Sequence, residues 1–71
     1  MYKRIKLLRN EYELTQEQVA NKLGCKREVY RRYESGEREI PISYAVELAN
    51  LYSVSVDFLV GLTDRKERWQ Q

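Results

Sequence analysis

Apolar residues recur along this chain at the three- and four-residue spacing that is typical of amphipathic helices. Residues 2–12 carry one such stripe, which consists of Tyr2, Ile5, Leu8 and Tyr12. A clearer stripe follows at the i, i+3, i+4 and i+7 positions of a later segment and consists of Ala45, Leu48, Ala49 and Tyr52. Both patterns predict helices that bury one face.

Capping residues between these two stripes mark two further helices. Thr15 and Gln18 form a capping box, in which the threonine hydroxyl accepts from the backbone N–H of Gln18 and the glutamine side chain reaches back. Gly24 ends this second helix, because glycine adopts the left-handed conformation of a C-cap without a steric penalty. The third helix is expected to run from near Lys26, which is a poor N-cap, to the residue before Gly36.

Two serines predict where the remaining helices begin, after a loop at residues 36–42. Ser43 is the expected N-cap of the fourth helix, and Ser55 is the expected N-cap of a short fifth helix. The fifth helix has its apolar contacts in Val56, Phe58, Leu59 and Leu62. We therefore predict an all-α bundle of five helices in residues 1–62. Residues 63–71 are a polar tail in which Trp69 is the one apolar residue. This composition is compatible with the start of a C-terminal extension.

The second and third helices, residues 16–35, have the pattern of a helix-turn-helix motif. Ala20 is small where the two helices must approach closely, and Gly24 forms the turn. The positions that face the core are apolar, namely Val19, Leu23, Cys25, Tyr30 and Tyr33. An ordinary helical hairpin is the alternative, but a hairpin alone does not require the four Lys and Arg residues of segment 26–32.

Composition narrows the function classes. The chain has 71 residues, which is enough for one domain or a fragment of a longer protein. It contains no histidine and one cysteine, so the commonest general base is missing and a cysteine zinc site is excluded. We therefore expect that the protein is not an enzyme and that it binds no metal, cofactor or small-molecule ligand. We also expect a cytoplasmic protein, because there is no secretory signal, no apolar run of ~20 residues and only a lone thiol.

Charge is distributed unevenly along the chain. Residues 1–38 contain ten Lys or Arg against six Asp or Glu, whereas residues 39–71 contain three against five. A basic half favours a polyanionic partner. On charge alone, a solvated helix face explains the pattern equally well.

Four segments match the pattern of a known family: RIKLLR (4–9), LTQEQVANKLGCKREVYRRYESGERE (14–39), IP (40–41) and LANLYSVSVDFLVG (48–61). They resemble the Cro/C1-type helix-turn-helix domains, or XRE family, of phage repressors and bacterial regulators. The resemblance implies a lambda-repressor-like bundle of five helices that binds double-stranded DNA. It also implies that the third helix enters the major groove.

The resemblance implies base-edge contacts from the third helix, by Lys26, Arg27, Glu28 and Arg32. Arginine can donate two hydrogen bonds to guanine, and glutamate can accept one from the amino group of cytosine. For Glu28, a helix N-terminal charge that never reaches DNA is an equally good interpretation.

Phosphate contacts are expected around this helix. The resemblance implies them for Gln16, at a helix N-terminus that attracts anions, and for Arg31 and Arg38. Arg9 is a further candidate. The tyrosines could instead indicate base stacking on single-stranded nucleic acid, but most of them fall on inward stripes. Tyr44 is the best candidate for an exposed ring near a phosphate.

The resemblance implies one further structural role, and the sequence departs from the family pattern at three positions. Arg9 and Glu34 match a family ion pair between the first helix and the end of the third, with two unrelated surface charges as the alternative. Lys26 replaces a Ser or Thr cap, Tyr30 replaces a smaller aliphatic residue, and Cys25 replaces an aliphatic one. Cys25 is either a redox-sensing thiol or a small buried apolar residue, and we favour the second.

We therefore predict a sequence-specific transcriptional regulator, most simply a repressor. It is expected to bind an imperfect palindrome as a homodimer, whose surface lies opposite Met1 and includes Val60, Leu62 and Trp69. An antitoxin that regulates its own gene is one alternative. A protein-interaction module on the same scaffold is another, which the basic third helix disfavours.

Overall fold

A computed structural model describes residues 3–65. Within this range the chain forms five helices and no strand: α1 (Lys3–Glu11), α2 (Gln16–Leu23), α3 (Arg27–Ser35), α4 (Ile42–Tyr52) and α5 (Val56–Leu59). The predicted all-α class is confirmed. Tyr2 and Trp69 lie outside the described residues. None of the helices in the described range has the length and hydropathy needed to cross a bilayer.

The local sequence explains where α2 and α3 begin and end. Thr15 Oγ1 accepts from the Gln18 N–H at 3.0 Å, and Gln18 Oε1 accepts from the Thr15 N–H at 2.8 Å, so the predicted capping box is confirmed. Gly24 and Gly36 are the C-caps, with φ of 78° and 86°. Lys26 is the N-cap of α3 and provides no side-chain hydrogen bond.

Helix α4 begins earlier than predicted, and the N-cap assignment to Ser43 was wrong. The N-cap is Pro41, with φ of −61° and ψ of 148°. The proline ring fixes a φ that suits the entry to a helix, so α4 begins at Ile42 without a side-chain cap. Ser55 caps α5 as predicted, and its hydroxyl accepts from the Phe58 N–H at 2.9 Å.

The predicted stripes of the helices meet in one core. Its buried residues are Ile5, Leu8, Val19, Ala20, Leu23, Tyr30, Tyr33, Ala45, Leu48, Ala49, Tyr52, Val54, Phe58 and Leu59. Leu62 is an exception among the expected apolar contacts of α5, because it is 78% exposed. It lies beyond α5, after a turn at Gly61 with φ of 87°.

Tyr12 was predicted on the inward stripe of the first helix, but it is 47% exposed. Helix α1 ends one residue before it, and the chain then turns through Glu13 with a positive φ of 56°. The Tyr12 ring contacts Tyr52 edge-on, with 5.1 Å between centroids, and its hydroxyl donates to the Tyr52 carbonyl at 3.0 Å. Tyr12 therefore covers the edge of the core rather than entering it.

Cys25 lies half-buried in the turn of the helix-turn-helix pair, against the core. Burial raises the pKa of its thiol, so the thiolate, which is the reactive form, is disfavoured. The structure agrees with the interpretation of Cys25 as a small apolar residue.

Candidate nucleic-acid interface

A buried ion pair joins α1 to the end of α3. Arg9 Nε donates to Glu34 Oε2 at 2.6 Å and Arg9 Nη2 donates to Glu34 Oε1 at 3.3 Å, while Nη1 donates to the Leu14 carbonyl at 2.7 Å. The side chains of Arg9 and Glu34 are only 12% and 4% exposed. The expected phosphate contact of Arg9 does not fit this geometry, because all three guanidinium nitrogens already face protein acceptors.

Glu34 also accepts hydrogen bonds from α2 and from its own helix. The Tyr30 hydroxyl donates to Oε2 at 2.7 Å, and Gln16 Nε2 donates to Oε1 at 3.1 Å. Burial opposes ionisation of Glu34, but these donors and Arg9 outweigh it and hold the pKa of the carboxyl below its usual range. Tyr30 therefore fits a position that is aliphatic in the family, because its hydroxyl has a charged partner inside the core.

The four residues predicted to contact bases lie along the outward side of α3. Lys26, Arg27 and Glu28 are exposed at its N-terminal end, and Arg32 lies one turn further with 43% of its side chain exposed. Within residues 3–65, neither Lys26 nor Arg27 forms an ion pair. The N-terminal end of α3 thus presents to solvent two cations that form no ion pair within the described range, beside the Glu28 carboxylate.

Further along α3, the positive charge is compensated. Arg31 donates from Nη2 to Glu28 Oε2 at 2.7 Å and from Nη1 to Glu37 Oε2 at 3.1 Å, and Arg32 Nε lies 3.8 Å from Glu28 Oε2. Arg31 lowers the pKa of both glutamates, chiefly by hydrogen bonding. Sequence reasoning missed Glu37, because its approach to Arg31 depends on the turn at Gly36.

The remaining phosphate candidates lie on three different elements. Gln16 is the first residue of α2, so the positive end of the helix dipole lies beside it. Arg38 is exposed in the loop after α3. Tyr44, in the first turn of α4, is half-buried, and its ring packs edge-on against Tyr33 with 5.9 Å between centroids.

The residues predicted at a dimer surface differ in exposure. Val60 is half-buried, Leu62 is largely exposed, and Trp69 lies outside the described residues. Sequence reasoning did not single out Ile42 and Val46 on α4, which are 71% and 43% exposed. Their four-residue spacing was a usable signal, since it places both on one side of the helix.

A family model described as helix-turn-helix matches residues 5–59. The chain belongs to the helix-turn-helix family of the Cro/C1 type. This membership confirms the resemblance found in the sequence, and the five helices agree with the lambda-repressor-like fold that it implies.

Three relatives of this helix-turn-helix chain carry the description "uncharacterized HTH-type transcriptional regulator". YobD of Bacillus subtilis is 44% identical over 61 residues, which is 86% of this chain and 54% of YobD. YqaE of the same organism is 38% identical over 56 residues, 79% of this chain and 48% of YqaE. A protein of Archaeoglobus fulgidus is 27% identical over 71 residues, which is 100% of this chain and 99% of that protein. The chain thus spans about half the length of the two Bacillus relatives.

Proposed function

We propose that this helix-turn-helix protein is a transcriptional regulator, acting as a repressor, that binds double-stranded DNA with α3 in the major groove. The observation that carries the proposal is the arrangement of α3. Its inner side is anchored in the core through Tyr30, Tyr33 and Glu34. At its exposed N-terminal end stand Lys26 and Arg27, two cations that form no ion pair within residues 3–65. Relatives that are described as transcriptional regulators support the same function. Such a regulator works on the chromosome and hence in the cytoplasm.

In this proposal the specificity comes from α3. Arg27 and Arg32 donate pairs of hydrogen bonds to guanine, Lys26 donates to a base edge near the start of the helix, and Glu28 accepts from cytosine. Lys26 and Arg27 can reach a base without breaking an ion pair within the described residues, whereas Glu28 must first loosen its hold on Arg31.

Phosphate contacts would fix the protein on the duplex but carry no sequence information. We assign them to the exposed loop cation Arg38, to Arg31, to the α2 N-terminus at Gln16 and to Tyr44. The Gln16 side chain is held by Glu34, which leaves its backbone N–H at the helix end for an anion. We leave Arg9 out of this set, because its three guanidinium nitrogens already donate to Glu34 and to the Leu14 carbonyl.

We further propose that the protein acts as a homodimer on an imperfect palindrome. One recognition helix reads few base pairs, and a two-fold dimer doubles the number by placing two helices about 34 Å apart on one face of the duplex. Val60, Leu62 and Trp69 are the proposed contacts, to which the exposed Ile42 and Val46 add apolar surface. Footprinting on the selected site tests this proposal, because a single protected half-site would contradict the dimer.

Selection of bound duplexes from a random pool tests the function as a whole. We expect a consensus with two-fold symmetry to be enriched. Arg27→Ala and Arg32→Ala should each lose discrimination at one base position, by about 1–3 kcal/mol. Arg38→Ala is the matched control, because it should weaken all sequences alike. If no sequence is enriched, or if both α3 variants select the wild-type consensus with undiminished preference, α3 does not read the site.

A further inference from the structure

The outward surface of α3 is closer to neutral than its sequence indicates. Arg31 lies between two carboxylates: its Nε and Nη2 donate to Glu28, and its Nη1 donates to Glu37. The second arginine, Arg32, shares the same Glu28 oxygen at 3.8 Å. Glu28 and Glu37 therefore offset two of the four basic residues of segment 26–32.

Glu37 reaches Arg31 because the chain turns back on itself. A separation of six residues does not bring side chains together on a helix. Gly36, with φ of 86°, reverses the chain at the end of α3, and the Ser35 hydroxyl lies 3.1 Å from Glu37 Oε2 and accepts from the Glu37 N–H at 3.4 Å. The Glu37 carboxylate is thus held beside the last turns of α3, and 53% of the side chain remains exposed.

We propose that Glu37 is a positioning residue that competes with the DNA backbone for the Arg31 guanidinium, so that it lowers affinity for all DNA sequences alike. This inference rests on the proposed function, in which Arg31 contacts a phosphate. A phosphate that takes over the Nη1 donor leaves the Glu37 carboxylate without its cation beside a polyanion, which is unfavourable. Phosphate contacts supply essentially all non-specific binding and carry no sequence information, so this competition lowers non-specific and operator binding by the same factor.

The proposal predicts how Glu37→Gln changes DNA binding. The variant should bind a mixed-sequence duplex about two- to fivefold more tightly, the range that corresponds to the loss of an exposed ion pair. The slope of log affinity against log salt should also be steeper, by up to about 0.9. The reason is that the Arg31 contact with a phosphate no longer competes with the Glu37 carboxylate. A merely structural role of Glu37 would not move the salt dependence.

The experiment measures fluorescence anisotropy of a labelled mixed-sequence duplex of about two helical turns, at several salt concentrations. Wild type, Glu37→Gln, Arg31→Ala and the double variant form a mutant cycle. Glu47→Gln, at an exposed position on α4, changes the net charge equally and controls for a general charge effect. Circular dichroism at the assay temperature shows that each variant is folded.

The expected result is a gain for Glu37→Gln that exceeds the gain for Glu47→Gln and disappears in the Arg31→Ala background. Equal gains for the two glutamine variants, or a full gain that persists without Arg31, would overturn the inference while wild type still binds DNA. Failure of the wild-type protein to bind any duplex would overturn the proposed function, and this inference with it.

Discussion

The Tyr30 hydroxyl donates a hydrogen bond to Glu34 Oε2 at 2.7 Å, across one turn of α3 in the interior of the protein. Tyr30 is fully buried and Glu34 is 6% exposed, so water does not replace this bond. A second tyrosine, Tyr52, is almost equally buried, but within residues 3–65 its hydroxyl lies beside that of Tyr30 and makes no hydrogen bond of good geometry. The two residues therefore form a matched pair of test positions for the same chemical change.

Tyr30→Phe should lower the free energy of unfolding by about 1.5–3 kcal/mol, the range for a hydrogen bond to a charged group. Tyr52→Phe should lower it by less, because the Tyr52 hydroxyl has no charged hydrogen-bond partner and makes no hydrogen bond of good geometry within the described residues. Urea unfolding followed by circular dichroism measures both. Equal losses in the two variants would contradict the assignment of Glu34 as the special partner of Tyr30.

Stability should also depend on the ionisation of Glu34. The donors around Glu34 hold the pKa of its carboxyl in the folded protein below the value near 4.5 that it has in the unfolded chain. The stabilisation that the ionised carboxylate provides is therefore present above pH 4.5 and is lost as the pH falls through the folded pKa. The groups that face Glu34 are Arg9 from α1, Gln16 from α2 and Tyr30 from α3, with Tyr52 of α4 near it. None of these groups titrates in acid, so the acid dependence at this site comes from Glu34 itself.

Unfolding measured between pH 7 and pH 3 tests this expectation, with Glu34→Gln as the comparison. The variant should be less stable at neutral pH, and the difference from wild type should shrink as the pH falls below about 4.5. Exposed carboxylates with lowered pKa, Glu28 and Glu37, contribute to the acid slope of both proteins and cancel in the comparison. A constant difference across the range would contradict the role of the Glu34 charge.

The sequence predicted those features that depend on near neighbours along the chain. The capping box of Thr15 and Gln18, the left-handed turn at Gly24 and the buried stripe of α4 each involve residues within a few positions, where periodicity and capping rules apply. Ser43 failed as an N-cap because Pro41, two residues earlier, fixes a backbone conformation that already admits the helix.

Features that depend on chain reversal or on backbone acceptors could not be predicted. Glu37 joins Arg31 only after the turn at Gly36. Arg4 of α1 meets acceptors that lie 54, 59 and 60 residues away, and two of these three acceptors are carbonyl groups, which every residue has. The occupation of all three Arg9 guanidinium nitrogens by Glu34 and the Leu14 carbonyl likewise depends on the fold, and a charge count does not reveal it.

The different environments of Arg9 and Arg38 lead to a prediction about the salt dependence of DNA binding. Arg38 is exposed, so Arg38→Gln should flatten the log–log slope by about 0.9, the loss of one neutralised phosphate. Arg9→Met combined with Glu34→Gln removes the buried charges together and should leave the slope unchanged. The double change avoids an unpaired buried charge, which would cost about 3–5 kcal/mol.

Anisotropy titrations of one duplex at several salt concentrations give the slopes, and wild type is the reference for both variants. If the buried-pair variant flattens the slope as much as Arg38→Gln does, Arg9 contacts a phosphate in the complex. Arg9 would then have to leave Glu34 when DNA binds.

Arg4 joins α1 to α5 and to the turn that follows it. Its Nη1 donates to the Phe58 carbonyl at 2.8 Å and to the Thr63 carbonyl at 2.5 Å, its Nη2 lies 2.6 Å from Asp64 Oδ1, and its guanidinium carbon lies 4.1 Å above the centroid of the Phe58 ring. Helix α5 has four residues, too few to be stable without tertiary contacts. Arg4 thus donates charge-assisted hydrogen bonds to carbonyl groups of α5 and of the turn that follows it.

Arg4→Ala should lower the free energy of unfolding by about 1.5–3 kcal/mol, because it removes charge-assisted bonds to two carbonyls together with the cation–π contact. It should also speed hydrogen exchange at the Leu62 N–H, which donates to the Asp57 carbonyl at 2.8 Å across the same turn. Asp64→Asn is the matched control. The Asp64 side chain is 98% exposed, so its ion pair contributes less than about 1 kcal/mol. A loss for Asp64→Asn as large as that for Arg4→Ala would show that the ion pair, and not the carbonyls and the ring, holds the end of α5 against α1.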